Sequence, residues 1–402
     1  MQNFDVAVIG AGMVGLVQAL ALKSSGLKVA LIDKQIVADK PQGAAGLRIS
    51  ALTLASQNIL TALGAWQTLE QQRIAPYCNM QVWEQDSFAR IDFDATQVAH
   101  QQLGYIVENQ AIVAALWQQA VQADFIELFV GTAIKQLALS SQSNVIVLTD
   151  ERMLTARLVI GADGAHSQVR QAAHFPLTFW DYDQHAIVAN VKTSVKHGFT
   201  ARQVFSSSGP LAFLPLWDEQ QCSIVWSQDE SRASELMAMS PEEFNKALTV
   251  AFDGQLGLCE LVSDRQVYPL TMRYARQWLA DGVALVGDAA HTIHPLAGQG
   301  ANLGILDAAA LAEQICDVVA RGKDLSLRRH LRPFERWRKT EALKMIAAME
   351  GFKRLFGGHV TGKKLIRDLG LSAVNQLPKG KKMIISHAMG LSGELPLMAK
   401  TP

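Results

Sequence analysis

Residues 4–33, FDVAVIGAGMVGLVQALALKSSGLKVALID, leave this chain few choices of fold. Residues 4–9 are a short apolar run rich in β-branched side chains, as a strand buried on both faces requires. Residues 13–25 mix small and large apolar residues, which predicts a packed helix ended by Gly26. KVALID then supplies a second strand. Between the first strand and the helix, Gly10, Gly12 and Gly15 form G-x-G-x-x-G. In a strand–helix–strand unit the first two glycines let the backbone turn tightly against a pyrophosphate, and the third lets helix and strand pack closely. The helix start offers unpaired N–H groups to phosphate charge. Asp33, ending the second strand, is placed to accept a hydrogen bond from a ribose hydroxyl. The unit therefore predicts a bound dinucleotide.

The glycine triplet does not say which one, but two later stretches do. GADGAHSQVR (161–170) and GDAAHTIHPLAGQG (287–300) each follow an apolar strand-like run and each carry Asp and Gly. Contacts spread so widely along a chain suit an extended FAD, with adenosine at one end, ribityl hydroxyls in the middle and isoalloxazine at the other. Asp288, next to Gly287, is placed for a ribityl hydroxyl. Gly298 and Gly300 let backbone approach a flat ring. A helix predicted from about Gly300 to Asn302 onward points its positive end at the edge where reduced flavin carries charge. His291 and His294 lie three apart in a glycine loop with no third His or Cys nearby, so no metal is expected. For His291 the sequence supports a structural or flavin-proximal role. No Ser/His/Asp, Cys/His or paired-carboxylate set assembles.

The 402 residues suffice for two domains. A discontinuous FAD-binding domain is expected over 1–75, 106–179 and 276–335. A substrate domain of mixed sheet is expected over 76–105 and 180–275, where HAIVANVKT, GPLAFLPLW and CSIVWSQ alternate with polar turns. Residues 336–402 read as a helical, basic C-terminal region, with Met345, Met349, Phe352 and Phe356 on one apolar stripe. The net charge is zero, yet residues from Arg321 onward carry 18 Lys/Arg against 6 Asp/Glu, leaving −12 on residues 1–320. Such a basic end suits an anionic membrane face or a partner protein, or an ordinary solvated helix face; nucleic acid is not expected. Four scattered cysteines without metal-type spacing fit a reducing cytosol. Neither a signal peptide nor a spanning helix is expected, so the predicted location is cytoplasmic, with peripheral contact at the inner membrane an open option.

With the three motifs in this order, the chain resembles the FAD-dependent aromatic hydroxylases of the para-hydroxybenzoate hydroxylase fold. Within that family GLRISALT, LGYIVENQ, GADGAHSQVR, AFLPL and GDAAHTIHPLAGQGANLG make it similar to the ubiquinone-biosynthesis hydroxylases, over roughly residues 1–375. LGAW, FDA and LPLWDEQQCSIVW look most like the branch acting on 2-polyprenyl-3-methyl-6-methoxy-1,4-benzoquinol. The implied fold class is α/β, a Rossmann-type FAD domain with an inserted mixed β-sheet domain and a helical C-terminus.

The resemblance implies FAD contacts at Gly10, Gly12, Gly15, Asp33, Arg48, Asn109, Asp163, Gly287, Asp288, Gly298, Gln299, Gly300 and Asn302. It implies Pro295 beside the isoalloxazine with its backbone facing the substrate hydroxyl, so Pro295 and His291 are the candidate catalytic residues. Asp33 stands where the family usually has Glu, and His166 and Ala301 where Asn and Val are expected. The last two dozen residues match no family pattern. The implied chemistry uses FAD, O2 and NAD(P)H or another reductant, and transfers oxygen from a flavin C4a-hydroperoxide to a quinol ring. The cofactor carries the hard step and the protein orients and shields. A prenyl tail needs an apolar groove, for which GPLAFLPLW and SIVWSQ are candidates beside an ordinary core role. A hydroxylase of an earlier prenylphenol or of a soluble aromatic, and a flavoprotein that reduces or binds prenyl lipid without oxygenation, remain alternatives.

Overall fold

The strand–helix–strand unit opens a parallel sheet in the computed structural model, which describes residues 1–36, 41–70, 73–85, 90–293, 299–356, 381–382, 385–386 and 388–400. The first strand, Gln2–Ile9, pairs in parallel with Val29–Asp33 on one side and Met153–Gly161 on the other. Val283–Leu285 extends the sheet beyond Met153–Gly161, and Ile126–Val130 beyond Val29–Asp33, again in parallel. The central strands read as continuous apolar runs because helices cover both faces. The fold class is thus the mixed α/β architecture expected.

A second sheet of nine strands gathers Asn79–Glu84 and Arg90–Asp94 with the strands between Leu177 and Ala275. Its pairings are antiparallel except for the parallel pair of Thr200–Ser206 and Asn79–Glu84. The two-residue strand His291–Thr292 adds to its edge against Gln266–Ala275, so the loop after Asp288 belongs to both sheets' neighbourhoods. A small antiparallel sheet of Ile49–Leu52, Ile74–Tyr77 and Gly104–Glu108 stands between the two.

One face of the nine-stranded sheet is closed by the helices Glu230–Ala238 and Pro241–Ala251. There Leu211, Phe213, Ile224 and Trp226 bury against Leu236, Phe244, Leu248 and Phe252. Phe213 stacks on Phe252 at 3.7 Å between centroids, and Trp226 meets Phe244 edge-on at 5.9 Å. Of the aromatic residues offered as a prenyl groove, Phe213 and Trp226 therefore form core under these helices, while Trp217 packs on the opposite cluster with Leu214 and Leu216. The same strand's alternate residues point the other way, and Leu214 and Leu216 join Ala51, Leu54, Tyr77 and Ala201.

Two helix boundaries differ from expectation. The first helix ends at Leu20, and a 3-10 turn, Lys23–Ser25, leads to Gly26 in the left-handed region at φ +70°. The last long helix is Arg328–Phe356 and begins ahead of Pro333, which lies inside it. It therefore starts eight residues before the helical region expected from residue 336. In the expected apolar stripe Met345 packs on the main core; the side chains of Met349, Phe352 and Phe356 lie outside the described residues.

The C-terminal end, which matched no sequence pattern, returns to the core. Ile385 and Met389 are buried among Leu54, Tyr77, Leu214 and Leu216. Ala399 is buried in the main core, and its carbonyl accepts from Asn58 Nδ2 at 2.9 Å. The Leu397 N–H donates to Glu313 at 2.7 Å. From sequence, deletion of 376–402 is expected to leave FAD bound and to weaken access of prenylated substrate; these contacts give the described residues of the segment a structural role. At roughly 1.5–3 kcal/mol per fully buried apolar side chain, Ile385 and Met389 are a sizeable part of a typical stability of about 5–15 kcal/mol. A chain ended at residue 384 is expected to melt several degrees below the full chain by calorimetry. An unchanged midpoint contradicts this packing account.

Candidate active site

Four parallel strands end at one level, and the three sequence motifs begin where they end. Ile9 is in register with both Gly161 and Ile32, and Gly161 with Leu285. The chain stays paired just past these ends: Gly10 N–H donates to Ile32 O (2.7 Å), Ala162 to Ile9 O (2.8 Å) and Val286 to Gly161 O (3.0 Å). Ligands of open α/β sheets bind outside such carboxyl ends.

The glycine triplet divides into two roles. Gly10 has φ +107°, and a Cβ there would fall 2.4 Å from the Ala162 carbonyl oxygen. A Cβ on Gly15 would fall 1.8 Å from the Gly10 oxygen. These two are fixed by the protein's own packing. A Cβ on Gly12 would meet nothing within 4 Å, so this glycine keeps the floor of the site low. Gly12 is also the N-cap of Met13–Leu20, which has no side-chain cap and no acidic residue in its first turn. Its first-turn N–H groups are left for an external acceptor.

Asp33 braces the same loop, accepting from Ala11 N–H at 2.6 Å and from Gln35 N–H at 2.8 Å. Asp163 accepts from the Gln168 and Val169 N–H groups through Oδ2, while its buried Oδ1 has no partner. Burial raises the Asp163 pKa, against the pull of these hydrogen bonds. Arg170 joins the second motif to the third, donating to the carbonyls of Ala165 (2.7 Å) and Ala289 (2.9 Å).

Gly287 and Asp288 form a short 3-10 turn after Val283–Leu285. The Asp288 side chain is open to solvent, yet protein surrounds it on most sides, as at the floor of a cleft. Burial pushes its pKa up, opposed by His291, Arg273 and Arg48. Arg48 lies 5.4 Å from the Tyr268 ring centroid, and its carbonyl accepts from the Asn109 N–H at 2.9 Å. Asn109 Oδ1 takes the Ser50 hydroxyl at 2.6 Å.

The third motif's helix is Gln299–Ala320. The Asn302 side chain is spent inside the protein: Oδ1 accepts from Thr53 N–H (2.9 Å) and Ser56 Oγ (2.8 Å), and Nδ2 donates to Ala51 O (2.7 Å). Only the Asn302 backbone is left to face a ligand. A Cβ on Gly300 would meet nothing within 4 Å. Pro295 and Gly298, and the Gln299 side chain, lie outside the described residues.

His291 is buried, with Nε2 2.5 Å from Asp307 Oδ2. Of the two roles considered this geometry gives it the structural one, and a ring so engaged does not suit the catalytic role. Asp307, Arg338 and Gly304 were not singled out from sequence. Gly304 had a legible signal, the glycine spacing of GQGANLG: a Cβ there would lie 2.7 Å from Val14 Cγ2 and 3.3 Å from Gly287 Cα. It lets the first and third motifs touch. Among the described residues no group of His, Cys, Asp and Glu could hold a metal ion.

These residues fit an extended dinucleotide: an uncapped helix start over a bare glycine, an orphaned buried carboxylate oxygen at Asp163 and an open carboxylate at Asp288. Comparison with known proteins agrees. A family model described as FAD binding domain matches residues 3–330. The 3-demethoxyubiquinol 3-hydroxylase of Escherichia coli (strain K12) is 34% identical over 394 residues, covering 97% of this chain and 99% of that protein. The ubiquinone biosynthesis monooxygenase COQ6 of Danio rerio is 33% identical, covering 96% and 89%. Among solved structures, p-nitrophenol 4-monooxygenase PnpA from Pseudomonas putida aligns with TM-score 0.79 at 17% identity, covering 98% of this chain and 99% of that one.

Because burial raises the Asp288 pKa, folding favours its neutral form. Asp288→Asn should weaken FAD binding on the order of tenfold, as loss of a charged hydrogen bond does. Unchanged FAD affinity in a fluorescence titration contradicts the assignment.

Proposed function

Since the chain belongs to the FAD binding domain family, among the ubiquinone-biosynthesis hydroxylases, we propose that it hydroxylates a prenylated methoxy-methyl-benzoquinol ring. The protein is an FAD-dependent monooxygenase. The observation that carries the substrate reading is the end-to-end likeness to the 3-demethoxyubiquinol 3-hydroxylase. When bound and reduced, FAD supplies the activated oxygen; NAD(P)H is the proposed electron source.

The chain's own residues bind and orient. The Gly12 helix start takes the pyrophosphate, Asp33 the adenosine ribose, Asp288 the ribityl hydroxyls, and Arg48, Asn109 and Asp163 flank the cofactor. Backbone of Gly287, Gly298, Gln299, Gly300 and Asn302 lines the ring. Pro295 is proposed to face the substrate hydroxyl through its backbone carbonyl, which would accept a hydrogen bond from that hydroxyl. A quinol ring is already electron-rich, so no strong general base is required. The nine-stranded sheet shields the reacting ring from water.

No helix among the described residues is long and apolar enough to cross a membrane. A prenylated substrate nevertheless resides in lipid. The outer face of Arg328–Phe356, with Arg332, Arg336 and Lys344 exposed, is proposed to meet an anionic membrane surface or a partner protein there.

Mass spectrometry of the quinone pool in cells lacking the protein tests the substrate. The demethoxylated 3-methyl-6-methoxy quinone should accumulate and clear on restoration. Accumulation of an earlier prenylphenol moves the ring position, and an unchanged pool overturns the reading.

A further inference from the structure

Three polar side chains, His291, Asp307 and Arg338, meet in the interior beside the Asp288 turn. His291 Nε2 lies 2.5 Å from Asp307 Oδ2, and Arg338 Nε donates to Asp307 Oδ1 at 2.7 Å. The side chains of His291 and Arg338 are 2% exposed, that of Asp307 0%. Trp278 packs its ring 5.1 Å from the His291 ring and 6.3 Å from Phe334, which shares a helix with Arg338. From that helix Glu335 also accepts the Trp278 N–H at 3.0 Å. Burial by itself would raise the Asp307 carboxyl, but His291 and Arg338 hold it below its usual range.

Such a cluster is a poor device for stability alone. Desolvating the ions offsets most of their attraction, and apolar side chains of similar volume often replace a buried ion pair without loss. What it can supply is fixed geometry, since a carboxylate with two directional partners tolerates one arrangement. The parts fixed here are those around the cofactor. His291 follows Asp288 by three residues and pairs with Tyr274 at the sheet edge. Asp307 sits about two turns into Gln299–Ala320, so its anchoring sets the depth and rotation of the helix end nearest the flavin. Arg338 brings the C-terminal helix into the same arrangement.

We propose that Arg338, Asp307 and His291 act as positioning residues for the flavin: Arg338 holds Asp307, Asp307 holds His291, and together they fix the Asp288 turn against the start of the Gln299–Ala320 helix. This rests on Asp288 being a cofactor contact. Without the device the chain still folds, but the turn and the helix start no longer present their groups in a single arrangement.

The test uses the full chain stripped of FAD and titrated with FAD, with melting temperature, dissociation constant and flavin midpoint potential as readouts. The double variant Asp307→Leu with Arg338→Met removes both buried charges while keeping volume. It should melt close to the parent, bind FAD about tenfold more weakly and show a shifted potential. Parent-like affinity and potential overturn the proposal. His291→Gln, which keeps a donor toward Asp307, should stay within about twofold of the parent in affinity, and His291→Phe, which does not, should weaken binding about tenfold. Equal behaviour of this pair overturns the proposal even if the double variant fails to fold. Asp288→Ala separates the premise: parent-like FAD affinity in that variant removes the reading of the site, whereas weakened binding there with parent-like triad variants removes only the positioning role.

Discussion

The parallel register of the first sheet is the constraint on which the site depends. Ile9, Ile32, Gly161 and Leu285 lie side by side, so the segments that follow them emerge on one edge although they come from distant parts of the sequence. A shift of one residue in any pairing would turn a strand's buried side chains to the opposite face. The continuous burial of Val6 to Ile9, Val29 to Ile32 and Leu158 to Gly161 makes such a shift costly. Catalytic geometry is inherited from core packing.

Close backbone approach then decides how tightly the edge closes. Gly15 against the Gly10 carbonyl, Gly161 against Leu285 and Val169, and Gly304 against Val14 and Gly287 each occupy a place with no room for a methyl group. Through them the first helix, the Asp288 turn and the Gln299–Ala320 helix share one contact region. Polar side chains finish the assembly from within. Asn302 ties the third motif's helix to Ala51, Thr53 and Ser56, and Arg170 ties the second motif to Ala289. Few of these groups are left to meet a ligand, so the open ones, Gly12, Gly300 and Asp288, stand out.

Local pattern carried much of this. The glycine triplet, the strand before it and Asp33 lie within thirty residues, and each has a local physical reason legible without the fold. The later Asp/Gly stretches were legible for the same reason, as strand ends followed by glycine. What stayed hidden depends on distant partners. Nothing near Asp307 or Arg338 in the sequence announces that they meet, because one sits in an Ala-rich helix and the other among many arginines. The C-terminal Ile385 and Met389 gave no periodic signal, since the surface they cover is built by residues 51 to 106 and 201 to 216. The aromatic residues of the second sheet were ambiguous because alternation shows two faces without saying which one helices cover.

The central claim is that this edge holds one extended flavin per chain. The most direct measurement is the visible absorption spectrum of the purified protein, with the released cofactor identified by chromatography and quantified against protein. The account predicts a yellow protein carrying FAD at a stoichiometry approaching one per chain after reconstitution. A colourless protein that takes up no FAD, and instead binds a nicotinamide dinucleotide at this edge, would contradict it.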